Sequence, residues 1–243
     1  MESMPESLVL LHGFTQTGAS WDGVAAELAE RYRPLAPDLR GHGSASNAVP
    51  VDLGAVLGDI AALAPPAFTV VGYSMGGRIA LHLALAIPQR IARLVLIGAS
   101  PGISDPVLRQ ARRDADERLA QEIERGSIDQ FAHRWAQTPV LSGQPPAVAA
   151  AAHADRLRST PAGLARALRG LGTAALPSLW ERLGELAMPV SLIAGERDAK
   201  FTDLALRMSA AIAGAEVSIV PGAGHAVHLE RPAPVAAIIA SPG

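Results

Sequence analysis

The chain has no cysteine, and among its 21 basic residues only Lys200 is a lysine. The first absence excludes disulfides and thiolate metal sites. The second means that nearly every cation is a planar guanidinium suited to gripping carboxylates. No apolar run approaches the roughly 20 residues needed to cross a bilayer. A net charge of -2 over 243 residues creates no global field for polyphosphate, so nucleic acid and anionic membranes are not expected partners. Met1 to Ser7 carries two glutamates and no basic residue, and the apolar run Leu8 to Leu11 is shorter than a signal-peptide core of about 7–15 residues. A cytoplasmic location is the expectation. What is plentiful is apolar side chain, 49% of residues, enough for one large core in a single domain spanning residues 1–243.

Short apolar runs alternate with longer helical patterns, the order expected of a parallel sheet covered on both faces. Strands are predicted near Leu8 to His12, Arg33 to Ala36, Thr69 to Gly72, Leu94 to Ile97, Val190 to Ala194 and Val217 to Val220. Helices are predicted at Trp21 to Tyr32, Leu53 to Leu63, Gly76 to Ile87, Leu204 to Ile212 and Pro234 to Ala240. Between 100 and 186 the strand signal stops. Leu108, Ala111, Ala115, Leu119 and Ile123, then Ile128, Phe131 and Trp135, repeat at spacings of three and four, which marks amphipathic helices. Laid over the strand ends they would form a helical lid; a plainer reading is two more packing helices.

Gly72-Tyr73-Ser74-Met75-Gly76 follows a predicted strand and precedes a predicted helix. Small neighbours let a serine occupy a sharp strand-to-helix turn, with its hydroxyl raised above the sheet. Such a nucleophile elbow defines the α/β-hydrolase fold. The hydroxyl then needs an imidazole to take its proton and a carboxylate to orient that imidazole, in the chain order Ser, acid, His. Asp198 and His225 each stand just past a predicted strand. Glu196 and Asp203 are rival acids and His228 a rival base. His12-Gly13-Phe14 follows the first strand, so the backbone N–H groups of Phe14 and Met75 are the candidate oxyanion hole, each donor worth about 10²–10³ in rate. Gly222-Ala223-Gly224 is no dinucleotide loop, because Val227 takes the third glycine position. His42, His82, His133 and His153 show no metal-ligand spacing, so neither metal nor cofactor is expected.

Arg78 lies one helical turn after Ser74, while Arg112 and Arg158 border apolar helix faces in 100–186. A guanidinium there needs an anion, from the protein or from a substrate.

Several of these segments together are narrower than the fold. Gly72-Tyr73-Ser74-Met75-Gly76-Gly77-Arg78, Arg112-Arg113 with Asp116, Phe131 with Trp135 and Pro139, Leu157-Arg158, Pro177-Ser178-Leu179-Trp180 and Gly195-Glu196-Arg197-Asp198-Ala199-Lys200-Phe201 occur in that order. On these the chain resembles the 2-succinyl-6-hydroxy-2,4-cyclohexadiene-1-carboxylate (SHCHC) synthases of menaquinone biosynthesis over almost its whole length. The resemblance implies an α/β-hydrolase fold with a helical lid inserted after the fold's sixth strand. It also implies a lyase that eliminates pyruvate, with Ser74, His225 and Asp198 acting as a base. Its substrate is a small anionic polycarboxylate, which would meet Arg78, Arg112 and Arg158, with Tyr73 and Trp135 lining the same pocket. Two departures stand out: Ser100-Pro101-Gly102 replaces a frequent His-Pro-Gly, and about seven residues precede the first strand, too few for the fold's usual leading strands. A small-molecule esterase or carbon-carbon hydrolase uses the same triad.

Overall fold

Five apolar runs and the short segment Tyr32-Arg33-Pro34-Leu35 become six parallel strands: β1 (Glu6–Leu11), β2 (Tyr32–Leu35), β3 (Phe68–Tyr73), β4 (Ile91–Ile97), β5 (Val190–Gly195) and β6 (Glu216–Val220). They pair in the order β2-β1-β3-β4-β5-β6. In this computed structural model residues 6–241 are described; residues 1–5, part of the stretch behind the cytoplasmic expectation, lie outside them. Among the described residues no strand precedes β1. No helix among them is long and apolar enough to cross a membrane.

Side chains alternate across the sheet, so two cores form, one on each face. Val9, Leu11, Val70, Leu94 and Leu96 join α2 (Leu53–Leu63), α3 (Met75–Ala86) and α8 (Ala199–Ala211) on one side. Leu8, Leu10, Val71, Val95 and Ile97 join α1 (Asp22–Leu28), α9 (Val227–Glu230) and α10 (Pro232–Ala240) on the other. All six sequence-predicted strands are present. The helix predicted over Trp21 to Tyr32 is shorter: it stops at Leu28, and Tyr32 opens β2, its ring buried among Trp21 and Val24. The helix predicted from Leu204 begins at Ala199 instead, because Asp198 caps it by accepting from the Phe201 N–H at 3.4 Å.

Between β4 and β5 the chain forms α4 (Pro106–Arg125), α5 (Ile128–Ala136), α6 (Pro146–Arg156) and α7 (Pro161–Leu171). Ser127 starts α5 with a reciprocal capping box to Gln130, and Asp105 caps α4. Helices α4, α5 and α7 share a small core of Ala120, Ile123, Phe131, Leu164, Ala165 and Leu168, which meets the rest of the molecule at Phe14. Only the second half of the stripe predicted on α4 is packed. Ile123 is buried and Leu119 packs against the small core, whereas Leu108, Ala111 and Ala115 are exposed. The first half of α4 overhangs a cavity and has no opposing layer.

The joint between β3 and α3 is tightly packed. A Cβ on Gly76 would stand 2.1 Å from the Leu11 carbonyl oxygen and 2.6 Å from that of His12. Gly76→Ala is therefore expected to cost about 1–3 kcal/mol or more in urea denaturation, since neither oxygen belongs to a movable side chain. Gly58→Ala in α2, where an added Cβ meets nothing within 4 Å, should instead be neutral or stabilising by about 0.4–1 kcal/mol.

Candidate active site

Ser74 sits at φ 51° and ψ -107°, a left-handed backbone that a residue with a Cβ adopts only at a cost of about 1–3 kcal/mol. It is held there from both sides. Its N–H donates to the Ile97 carbonyl at 2.9 Å, and its own carbonyl accepts the first α3 hydrogen bond from Arg78 at 3.1 Å. Ser74 Oγ lies 3.3 Å from His225 Nε2, and His225 Nδ1 donates to Asp198 Oδ2 at 2.6 Å. Imidazole and carboxylate are almost fully buried. Phe201 and Tyr73 flank the imidazole, with ring centroids at 4.4 and 5.2 Å. Burial raises the Tyr73 phenol well above its ordinary range, so it stays neutral.

On the other side of Ser74 the turn after β1 is fixed by His12. Its Nδ1 donates to the Gly13 carbonyl and its Nε2 accepts the Leu39 N–H, both at 2.9 Å. Burial lowers its pKa, keeping the ring neutral as those bonds require. Phe14 and Met75 both border the cavity beside Ser74. Met75 opens α3, where the first N–H groups have no partner within the helix.

That cavity, of about 580 Å³, runs from Ser74 and His225 to the inner side of the inserted helices. Arg78, Arg112 and Arg156 line it, as do the carboxylates Asp105 and Asp116. Arg112 Nε donates to Asp116 Oδ1 at 2.7 Å. Burial raises the Asp116 pKa, against the pull of Arg112. Arg78 reaches the Leu171 carbonyl through Nη2 at 3.3 Å, and its Nε has no partner. Burial, with Arg112 nearby, pushes its pKa down to about 10. Arg156 is 2% exposed, donates from Nε to Thr15 Oγ1 at 3.3 Å and leaves Nη1 unpaired. Buried guanidinium N–H groups without acceptors are costly, and Arg78 and Arg156 each bring one to this cavity.

Residues 8–238 match the Alpha/beta hydrolase family. A 2-succinyl-6-hydroxy-2,4-cyclohexadiene-1-carboxylate synthase from Salmonella agona (strain SL483) is 35% identical over 237 residues, covering 94% of this chain and 90% of that protein. The chain belongs to the SHCHC synthase family. Among solved structures, MenH from S. aureus superposes with a TM-score of 0.92 at 28% identity, covering 98% of this chain and 93% of that one. A malate-bound thermophilic esterase from Thermogutta terrifontis superposes at 0.85 with 25% identity, covering 97% and 88%.

Within this SHCHC synthase chain, Tyr73, Ser74, Arg78, Arg112, Trp135 and His225 all line the cavity, with Asp198 behind His225. Arg158 does not. Its side chain is 55% exposed and turns back toward Asp155 at 3.9 Å. The expectation at Arg158 assumed that the helix carrying Ala151 and Ala154 continues; α6 ends at Arg156, and the following turn swings 158 outward. Arg156 is the arginine that sequence reading missed, two positions away on the buried side of the same helix end. Among the rivals, Glu196 accepts from the Gly222 N–H and Asp203 pairs with Arg207 on the exterior.

His228 is fully buried between Trp21 and Tyr73, with centroids at 4.6 and 4.3 Å, and both ring nitrogens lack partners. Burial lowers its pKa to about 3, and that of His42 likewise to about 3. An unfolded histidine takes a proton near pH 6.5. Between about pH 6.5 and 3 the unfolded chain therefore binds more protons than the folded one, and stability falls as pH drops. His228→Phe, which keeps a stacked ring, should flatten this slope by about 1.4 kcal/mol per pH unit. Urea denaturation between pH 5 and 6 measures it, and an unchanged slope would mean that His228 titrates normally.

Proposed function

We propose that the chain eliminates pyruvate from 2-succinyl-5-enolpyruvyl-6-hydroxy-3-cyclohexene-1-carboxylate to give SHCHC. The observation that carries this reading is the pair of buried, incompletely paired guanidiniums, Arg78 and Arg156, in the cavity that holds Ser74. A substrate with several carboxylates supplies the acceptors they lack. Family membership supports the same reaction.

His225 draws the proton from Ser74 Oγ, and Asp198 holds the imidazole in the required tautomer. Ser74 Oγ then removes the proton from the ring carbon beside the succinyl ketone. The electrons form a double bond to the next ring carbon, shift the existing double bond one position along and expel the enolate of pyruvate. The ketone oxygen carries negative charge as the proton leaves, and the Phe14 and Met75 N–H groups are suited to stabilise it. Neither water nor a covalent intermediate is required, and no cofactor enters. Residues 100–186 act as a lid, with Trp135 and Arg156 covering the bound ring. The working compartment is the cytoplasm, and the partner is a small anion.

The same triad would serve an esterase. Supplying the substrate and following pyruvate through a coupled reductase separates the two: release is expected, whereas rapid ester turnover with no pyruvate would overturn the lyase reading. In this assay Arg156→Ala should lower kcat/KM by about 10²-fold, while Arg158→Ala stays near the parent value. Equal losses would reject the placement of the substrate carboxylate.

Lys200 borders the same cavity, its Nζ 5.3 Å from the Phe201 ring that packs on His225. In a chain otherwise served by arginine, a compact ammonium here fits a charge beside the reacting end. Lys200→Arg is expected to raise KM with the fold intact; full activity would dismiss the role.

A further inference from the structure

The inserted helices bring together three side chains that the elimination does not use. Asp129 and His133 stand one turn apart on α5, and His153 faces them from α6. One donor atom from each lies within 4.8 Å of the others. His133 Nδ1 is 3.5 Å from Asp129 Oδ2, His153 Nε2 is 3.9 Å from Asp129 Oδ1, and the imidazole centroids are 4.5 Å apart. Donors at about 2.0–2.1 Å around a tetrahedral ion stand roughly 3.3 Å from one another, so closing these gaps takes side-chain rotation and no movement of helices.

We infer that Asp129, His133 and His153 form a binding site for a zinc-class divalent cation on the outer face of the inserted helices. Two imidazoles and one carboxylate favour zinc, cobalt or nickel over magnesium or calcium, which prefer all-oxygen shells. The His133 Nδ1–H donates to the Asp129 carbonyl at 2.9 Å. An ion bound through Nδ1, the nitrogen that faces the Asp129 carboxylate, displaces that proton and leaves Nε2–H to water. Asp129 and His133 are exposed and His153 is half-buried, which gives the ion access from solvent and leaves water to complete its shell.

The site joins two of the inserted helices that reach the cavity. Trp135 on α5 and Arg156 on α6 both line it, so an ion outside would tie the supports of both. This inference stands apart from the elimination, because its first readout is metal binding. Titrating the untagged full-length chain with Zn²⁺ by calorimetry should give one ion per chain. His153→Ala should weaken binding by at least about tenfold, and excess Mg²⁺ should not compete. Co²⁺ should give the visible absorption of a tetrahedral nitrogen–oxygen site, and Zn²⁺ should raise the melting temperature of the parent but not of His153→Ala. Neither histidine touches the triad, so the variant's pyruvate release without metal serves as the folding control. No binding, or equal binding by parent and His153→Ala, would overturn the inference.

Discussion

One strained residue organises the active end of this molecule. Ser74 can hold its left-handed backbone only because its N–H is bonded to β4 and the following helix starts directly from it. That start is possible only where Gly76 lies against the carbonyls that end β1. Strain of about 1–3 kcal/mol is thus carried by three neighbouring elements, β1, β3 and β4. The same packing puts the turn bearing Phe14, the serine hydroxyl and the loop bearing His225 at one end of the sheet.

Charge makes the second layer of organisation. Arg169 on α7 bonds Glu117 and Glu124 on α4 from the outside, where solvent screens the attraction and the pairs contribute little. Inside, Arg112 pairs with one oxygen of Asp116, while Arg78 and Arg156 keep unpaired N–H groups. The interior guanidiniums are incompletely paired, whereas the exterior pairs of Arg169 are closed. An imbalance of this kind is poorly suited to stability and well suited to holding a multiply charged ligand.

The sheet was readable in the sequence because its central strands β1, β3, β4 and β5 are buried on both faces and show as short apolar runs between turn residues. The triad was readable because Gly-x-Ser-x-Gly and the two strand-end loops restrict which residues can meet. Helix ends were harder. Asp198 was legible as an acid but not as the cap that starts α8, and the end of α6 at Arg156 was hidden by alanines that would support a longer helix equally well. That one ambiguity exchanged Arg156 for Arg158. Meetings between helices, such as His153 with Asp129 and His133, leave no local periodicity at all. They depend on how α5 and α6 pack, which spacing within either helix does not encode.

Asp155 and Arg156 are consecutive at the end of α6, and they grip Thr17 and Thr15 in the single loop that follows β1. The helix end, the cavity arginine and the Phe14 turn are therefore one mechanical unit. A hinge at α6 would pull the arginine off its ligand and disturb the turn at once. The first half of α4 is held elsewhere: Arg109 and Arg113 both donate to the Ala174 carbonyl, while Val107 and Leu108 are exposed and Leu108 borders the cavity. Arg112 sits on that same half of α4, so the loop after β1 and the segment around Ala174 each hold one helix that carries a cavity arginine.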